Sequence, residues 1–108
     1  MDIRIKYQGI EASPWMIEYM KRQTERLERF LSSSAIIFIE FTSGPVTSNS
    51  HLLIQSRKKS FSFESSGEDI FEAFSKTLDE ACRFMKLEHH RVISRVHQQL
   101  FFAKAIDE

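Results

Sequence analysis

Three sets of cations in this chain are spaced for contact with phosphate. Arg26 and Arg29 stand three apart around Leu27, Arg57, Lys58 and Lys59 are consecutive, and Arg83 and Lys86 stand three apart with His90 following. A spacing of three or four is one helical turn, so the first and third sets each put two positive charges on one side of a helix. A basic run between two strands instead puts its charges at a hairpin tip. Guanidinium and ammonium groups in such places neutralise phosphate oxygens and release counterions, a chemistry that holds nucleic acid without reading its bases. Histidine adds to it: His89, His90 and His97 are three of the four in the chain, and imidazole is the side chain that gains a proton on mild acidification.

The basicity is local. Fifteen basic and fifteen acidic residues cancel over the whole chain, which argues against coating nucleic acid by bulk charge. From Arg83 to Lys104, however, five basic residues face one acidic residue, Glu88. On a helical wheel Lys76, Arg83, Lys86, His90 and His97 fall within roughly 80° of one another, opposite the apolar stripe of the same segment, and predict one solvent-facing ridge. The bland alternative for the ridge is an ordinary solvated helix face. For Arg57 to Lys59 it is a charged hairpin turn.

Other chemistries find little support. No nucleophile is paired with a base, no glycine-rich phosphate loop occurs, and no pair of acids has a catalytic logic, so an enzyme is the weakest class. His90 and His97 are seven apart with no carboxylate or cysteine beside them, which argues against a metal site, and no cofactor is implied. The single cysteine, Cys82, cannot form an internal disulfide and lies beside the apolar stripe, where it reads as a small packed residue. Trp15, Tyr19 and Phe38 have faces suited to stacking on bases, but a phenylalanine-rich core accounts for them, and burial is expected.

The elements that must position these cations follow from the apolar pattern. A chain of 108 residues, 42% hydrophobic with ten phenylalanines, is the size of one domain with a real core. "DIRIKYQG" alternates Ile3, Ile5 and Tyr7 with Arg4, Lys6 and Gln8 and predicts a strand with one buried face. Ser13 is an N-cap and Pro14 suits a first helical position, so a helix is expected from there to Phe30, with Met16, Ile17, Met20, Leu27 and Leu31 inward. "AIIFIEFT" predicts a central strand, the turn-rich residues 43–50 follow, and "HLLIQSRKKSFSFESS" divides into a hairpin around Arg57-Lys58-Lys59. A second helix starts near Glu68, its stripe running Ile70, Phe74, Leu78, Ala81, Met85, Val92, Val96 and Leu100. The expected fold class is α+β: a two-layer β-α-β-β-β-α domain, its four-stranded sheet packed on one face by two helices. Its core is expected to join Ile3, Ile5, Ile37, Ile39, Leu52, Ile54, Phe61 and Phe63 to Met16, Met20, Leu27, Phe74, Leu78 and Met85. Residues 1–96 form the domain, and 97–108 are a helix extension or tail.

With "IEASPWMIEYMKRQTERLERF" and "SGEDIFEAFSKTLDEACRFMK", this order of elements resembles the ribosome hibernation-promoting factor and ribosome-associated inhibitor A family, small bacterial proteins that occupy the small ribosomal subunit and silence it. Arg26-Leu27-Glu28-Arg29-Phe30 matches the family's "KLEKF"-like motif, and Gly67, Asp69, Ile70, Phe71 and Ala73 match its entry to the second helix. The resemblance implies a fold like the double-stranded-RNA-binding domain and a seat between head and body, over the tRNA and mRNA positions. It implies the small subunit and its ribosomal RNA as partners, with Arg26, Arg29, Arg83 and Lys86 on the family's basic surface. Flanking lysines of the family are Glu80 and Leu87 here. At 108 residues the chain resembles the short class, expected to lack the second domain that pairs ribosomes.

The expected RNA-binding set is therefore Arg26, Arg29, Arg57, Lys58, Lys59, Arg83, Lys86 and His90, in a cytoplasmic protein with no export signal and no membrane span. The competing expectation is a protein-interaction module using the open sheet face or the apolar tail "QLFFAKAI". Phosphate-driven binding weakens steeply with salt and an apolar interface does not.

Overall fold

The computed structural model describes the backbone of residues 1–107 and the side chains of residues 1–91. Strand β1 (Asp2–Gln8) is followed by helix α1 (Pro14–Thr24), a 3-10 segment (Glu25–Phe30), strands β2 (Ile36–Ser43), β3 (Ser48–Ser56) and β4 (Lys59–Gly67), and helix α2 (Ile70–Asp107). The sheet order is β1-β2-β3-β4, with β1 parallel to β2 and the other two pairs antiparallel. A parallel pair needs a crossover, and α1 with the 3-10 segment provides it. Among the described residues no helix is long and apolar enough to cross a membrane.

Register explains why one face is a core. Ile3 lies opposite Ile37, Ile37 opposite Ile54 and Ile54 opposite Phe61, while Ile5, Ile39, Leu52 and Phe63 form a second such row. Side chains alternate along a strand, so these rows share a face, and they meet Met20 and Leu27 from the crossover and Phe74, Leu78 and Met85 from α2 in one cluster. Both helices therefore cover the same face, as the alternation predicts. Phe41 joins the core, ringed by Tyr7 at 5.4 Å and Phe74 at 5.6 Å. Ile3, Ile5, Met16 and Phe61 are only partly buried at its edges.

The helix starts are those of the sequence. Ser13 Oγ accepts from the Met16 N–H at 3.2 Å, with Pro14 at the first position. Asp69 Oδ1 accepts from the Glu72 N–H at 2.8 Å, so α2 begins at Ile70. Gly67 is required just before it, because a Cβ there would lie 2.7 Å from the Ala73 amide nitrogen and 2.9 Å from Glu72 Cβ. Strand β3 begins at Ser48 rather than His51, since the turn after β2 is tight: the Gly44 N–H donates to Thr47 O at 2.9 Å.

The first helix departs from the expected single helix to Phe30. Buried Thr24 turns its hydroxyl back onto Met20 O at 2.7 Å, and from Glu25 onward the chain winds as a 3-10 helix. Three residues per turn replace 3.6, so positions three apart eclipse. Arg26 and Arg29 then share the outer side, while fully buried Leu27 and half-buried Phe30 share the inner one.

The expected burial of Trp15 and Tyr19 is corrected. Trp15 is 66% exposed and Tyr19 37%, stacked on each other at 5.5 Å with Phe71 beside them. The inner face of the sheet is already filled by Ile37, Ile39 and Phe41, and an α1 of 11 residues buries fully only Met20 and Thr24. Phe38 is half-buried on the opposite, open sheet face, under the Arg4 guanidinium at 5.6 Å. His97, the stripe residues Val92, Val96 and Leu100, and the side chains of "QLFFAKAI" lie outside the described residues.

Candidate nucleic-acid interface

Seven of the eight expected site residues, all but His90, form two groups, and Arg29 belongs to both. The first group lies where the 3-10 segment packs on α2. Arg26 Nη2 is 3.7 Å from Asp79 Oδ1, a half-exposed ion pair that a phosphate would have to compete with. The half-buried Cys82 thiol, one turn on, has its pKa raised, chiefly by burial; Arg26 and Arg29 act to lower it and Asp79 to raise it. The Arg26–Asp79 pair and the cleft that Arg29 shares with Met85 and His89 lay the 3-10 segment along the stretch of α2 that carries exposed Arg83 and Lys86. Among the described residues no ion pair engages Arg83 or Lys86.

The N-terminal part of the expected ridge is different. Lys76 pairs with Glu72 at 3.0 Å and also donates to Ser66 O at 3.3 Å, which ties it to the end of β4. Acidic residues interleaved on the same helical face, Glu72 and Asp79, neutralise that stretch, and uncompensated charge starts at Arg83. His90 is exposed further along.

The second group surrounds a cleft of about 670 Å³ between the end of the 3-10 segment, the β3–β4 turn and α2. Arg29, Arg57, Lys58 and Lys59 line it together, joining a hairpin tip to a helix end some thirty residues away in sequence. The interior is apolar, formed by Phe30, Leu31, Phe61 and Met85. The Arg29 guanidinium lies over the Phe30 ring at 5.1 Å, and the His89 ring meets Phe30 edge-on at 6.1 Å. Lys59 is held at 3.3 Å by Glu88, a carboxylate whose side chain is 16% exposed and which also faces Arg91 at 3.8 Å. Arg57 adopts a φ of +56°, in the left-handed region where glycine or asparagine is usual.

Phe30, Phe61 and His89 line this cleft as well, a placement that sequence patterning misses. Alternation marks Phe61 as core and the wheel leaves His89 off the ridge. No local signal says that both line a cleft with Arg57, because that meeting is made across the fold.

No protein-family model matches the chain, and none of the curated proteins matches it in sequence at a significant level. Solved structures do match its fold. The N-terminal domain of Thermus thermophilus protein Y superposes with a TM-score of 0.72 at 14% identity, covering 80% of this chain and 97% of that one. A ribosomal subunit interface protein from Coxiella burnetii superposes with a TM-score of 0.70 at 14% identity, covering 82% of this chain and 97% of that one.

Proposed function

We propose that this protein is a non-catalytic, cytoplasmic ribosome-binding factor that occupies the small subunit over the tRNA and mRNA sites and inhibits translation under stress or in stationary phase. Ribosomal RNA is held through phosphate contacts of Arg29, Arg57, Lys58, Arg83, Lys86 and His90, with Arg26 and Lys59 contributing less because both are ion-paired. The observation that carries this reading is the position of Arg29. It lines the cleft with the hairpin cations and with Met85 and His89 of α2, the helix that also carries Arg83 and Lys86, so cations of three elements are gathered in one region of a chain whose net charge is zero. Phosphate surfaces reward such a cluster by counterion release. The shared fold with a protein described as lying at the ribosomal subunit interface is consistent with it.

The test is co-sedimentation of the purified chain with small ribosomal subunits at two salt concentrations, alongside inhibition of translation in vitro. Folded Arg83/Lys86 and Arg26/Arg29 double variants are each expected to bind more weakly, with a shallower salt dependence. Undiminished binding by both would overturn the reading.

One observation favours a second reading, a protein-interaction module. The stacked, exposed Trp15 and Tyr19 with Phe71 form an aromatic face of the kind enriched at protein interfaces. Binding that persists unchanged in high salt and is lost in Trp15→Ala would favour it.

A further inference from the structure

The cleft at the β3–β4 turn has a composition that phosphate neutralisation alone does not require. A cationic rim would suffice for backbone contacts, yet behind the rim lies an apolar interior with two aromatic walls. We propose that this cleft takes one unstacked nucleotide, its base against Phe30, Phe61 and Met85 and its phosphate on Arg57 and Lys58, with Arg29 at the mouth. The inference rests on the RNA-binding reading above and specifies what one part of that surface holds.

Four features support it. The cleft, at about 670 Å³, is within the range of small-ligand sites and has room for one nucleotide. Its walls include flat groups, since Phe30 is capped by the Arg29 guanidinium and met by His89, and bases stack on aromatic and guanidinium planes without regard to sequence. Its polarity is graded. Lys59 and Arg91 are engaged by Glu88 in the wall, whereas among the described residues no ion pair engages Arg57 or Lys58, so the anion belongs at the turn and the uncharged base against the apolar wall. Finally, Arg57 occupies a left-handed backbone position in a two-residue turn closed by the pairing of Ser56 with Lys59. A glycine would sit there without strain, and the arginine instead brings a guanidinium to the turn that lines the cleft.

The nucleotide has two possible sources, a free mononucleotide or a residue splayed from an RNA strand, and the experiment separates them. Affinity is measured by fluorescence anisotropy for a labelled hexariboadenylate and for an abasic hexamer with the same backbone, at low salt. The base-bearing strand is expected to bind roughly tenfold more tightly. Ser56→Leu narrows the cleft and leaves every cation in place. It should bring the base-bearing strand to the affinity of the abasic one, with the fold checked by circular dichroism. Competition by adenosine monophosphate but not by ribose 5-phosphate identifies the free nucleotide as a ligand in its own right, and base dependence without such competition identifies the RNA strand.

Equal affinity for the two strands in the unmodified chain would overturn the cleft inference and leave the phosphate surface standing. Binding of neither strand, together with no binding to small subunits, would overturn both.

Discussion

Arg26 Nη2 lies 3.7 Å from Asp79 Oδ1, and this ion pair fastens the 3-10 segment to α2 while withdrawing a cation that the sequence assigns to phosphate. Both partners are about half exposed, so the pair is screened and contributes at most about 1 kcal/mol to stability. Asp79→Asn should therefore leave the fold intact and release Arg26. Tighter binding to small subunits is expected, by a few-fold at low salt, with a salt slope steeper by a little under one unit. Unchanged affinity, measured by co-sedimentation, would show that Arg26 does not meet RNA.

Arg83 and Lys86 carry the uncompensated part of the ridge. If roughly four phosphates are neutralised overall, log K should fall against log salt with a slope of about −3, and removing both charges should bring it near −1.5. Replacement by glutamate should cost more than replacement by alanine, because repulsion is added to lost attraction. Thermal unfolding should barely change, since both side chains face solvent.

Arg57→Gly should move stability and binding in opposite directions. Relief of a non-glycine residue at φ +56° is worth about 1 kcal/mol of folding free energy, read as a higher urea midpoint. Loss of the guanidinium should weaken nucleic-acid binding at the same time. A variant that is both more stable and fully active would remove Arg57 from the site.

Leu27→Ala and Gly67→Ala should both destabilise, for opposite reasons. Leu27 is fully buried where the 3-10 segment meets the core, and truncation leaves a void that costs about 2–5 kcal/mol. At Gly67 an added Cβ would press on the Ala73 nitrogen at 2.7 Å, and the crowding costs about 1–3 kcal/mol. Urea denaturation measures each.

Cys82 should be slow to alkylate in the native protein. Burial raises its thiol pKa first, partly offset by Arg26 and Arg29, so the thiolate forms only as pH passes above the ordinary thiol range. A raised native pKa means that the associated stability is complete below the unfolded thiol pKa and is lost as pH rises through the native one. In an Arg26/Arg29→Ala double variant the offset disappears and alkylation at a fixed alkaline pH should slow further. Faster alkylation there would contradict the placement of those arginines beside the thiol.

The sequence by itself determined what depends on repeat distance along the chain. Alternation in "DIRIKYQG" and "FSF" set which side of those strands is buried, the apolar run of "AIIFIEFT" marked a central strand, and the stripe from Ile70 to Met85 set the inner face of α2. Because both helices present apolar residues to the same alternating rows, the two-layer architecture was also legible, and the first helix start was marked by Ser13, whose oxygen satisfies a free N–H, and by Pro14, which has no N–H to satisfy. The tertiary structure alone decided what depends on distance through space. Whether Arg26 is available for phosphate is set by Asp79, fifty-three positions away, and the cleft exists only because the β3–β4 turn reaches the end of the 3-10 segment. The switch from 3.6 to three residues per turn at Thr24 was hidden for the same reason. Arg26 and Arg29 align on one side under either period, and it is the burial of Thr24, Leu27 and Phe30 against the core, a property of the whole fold, that selects the tighter winding.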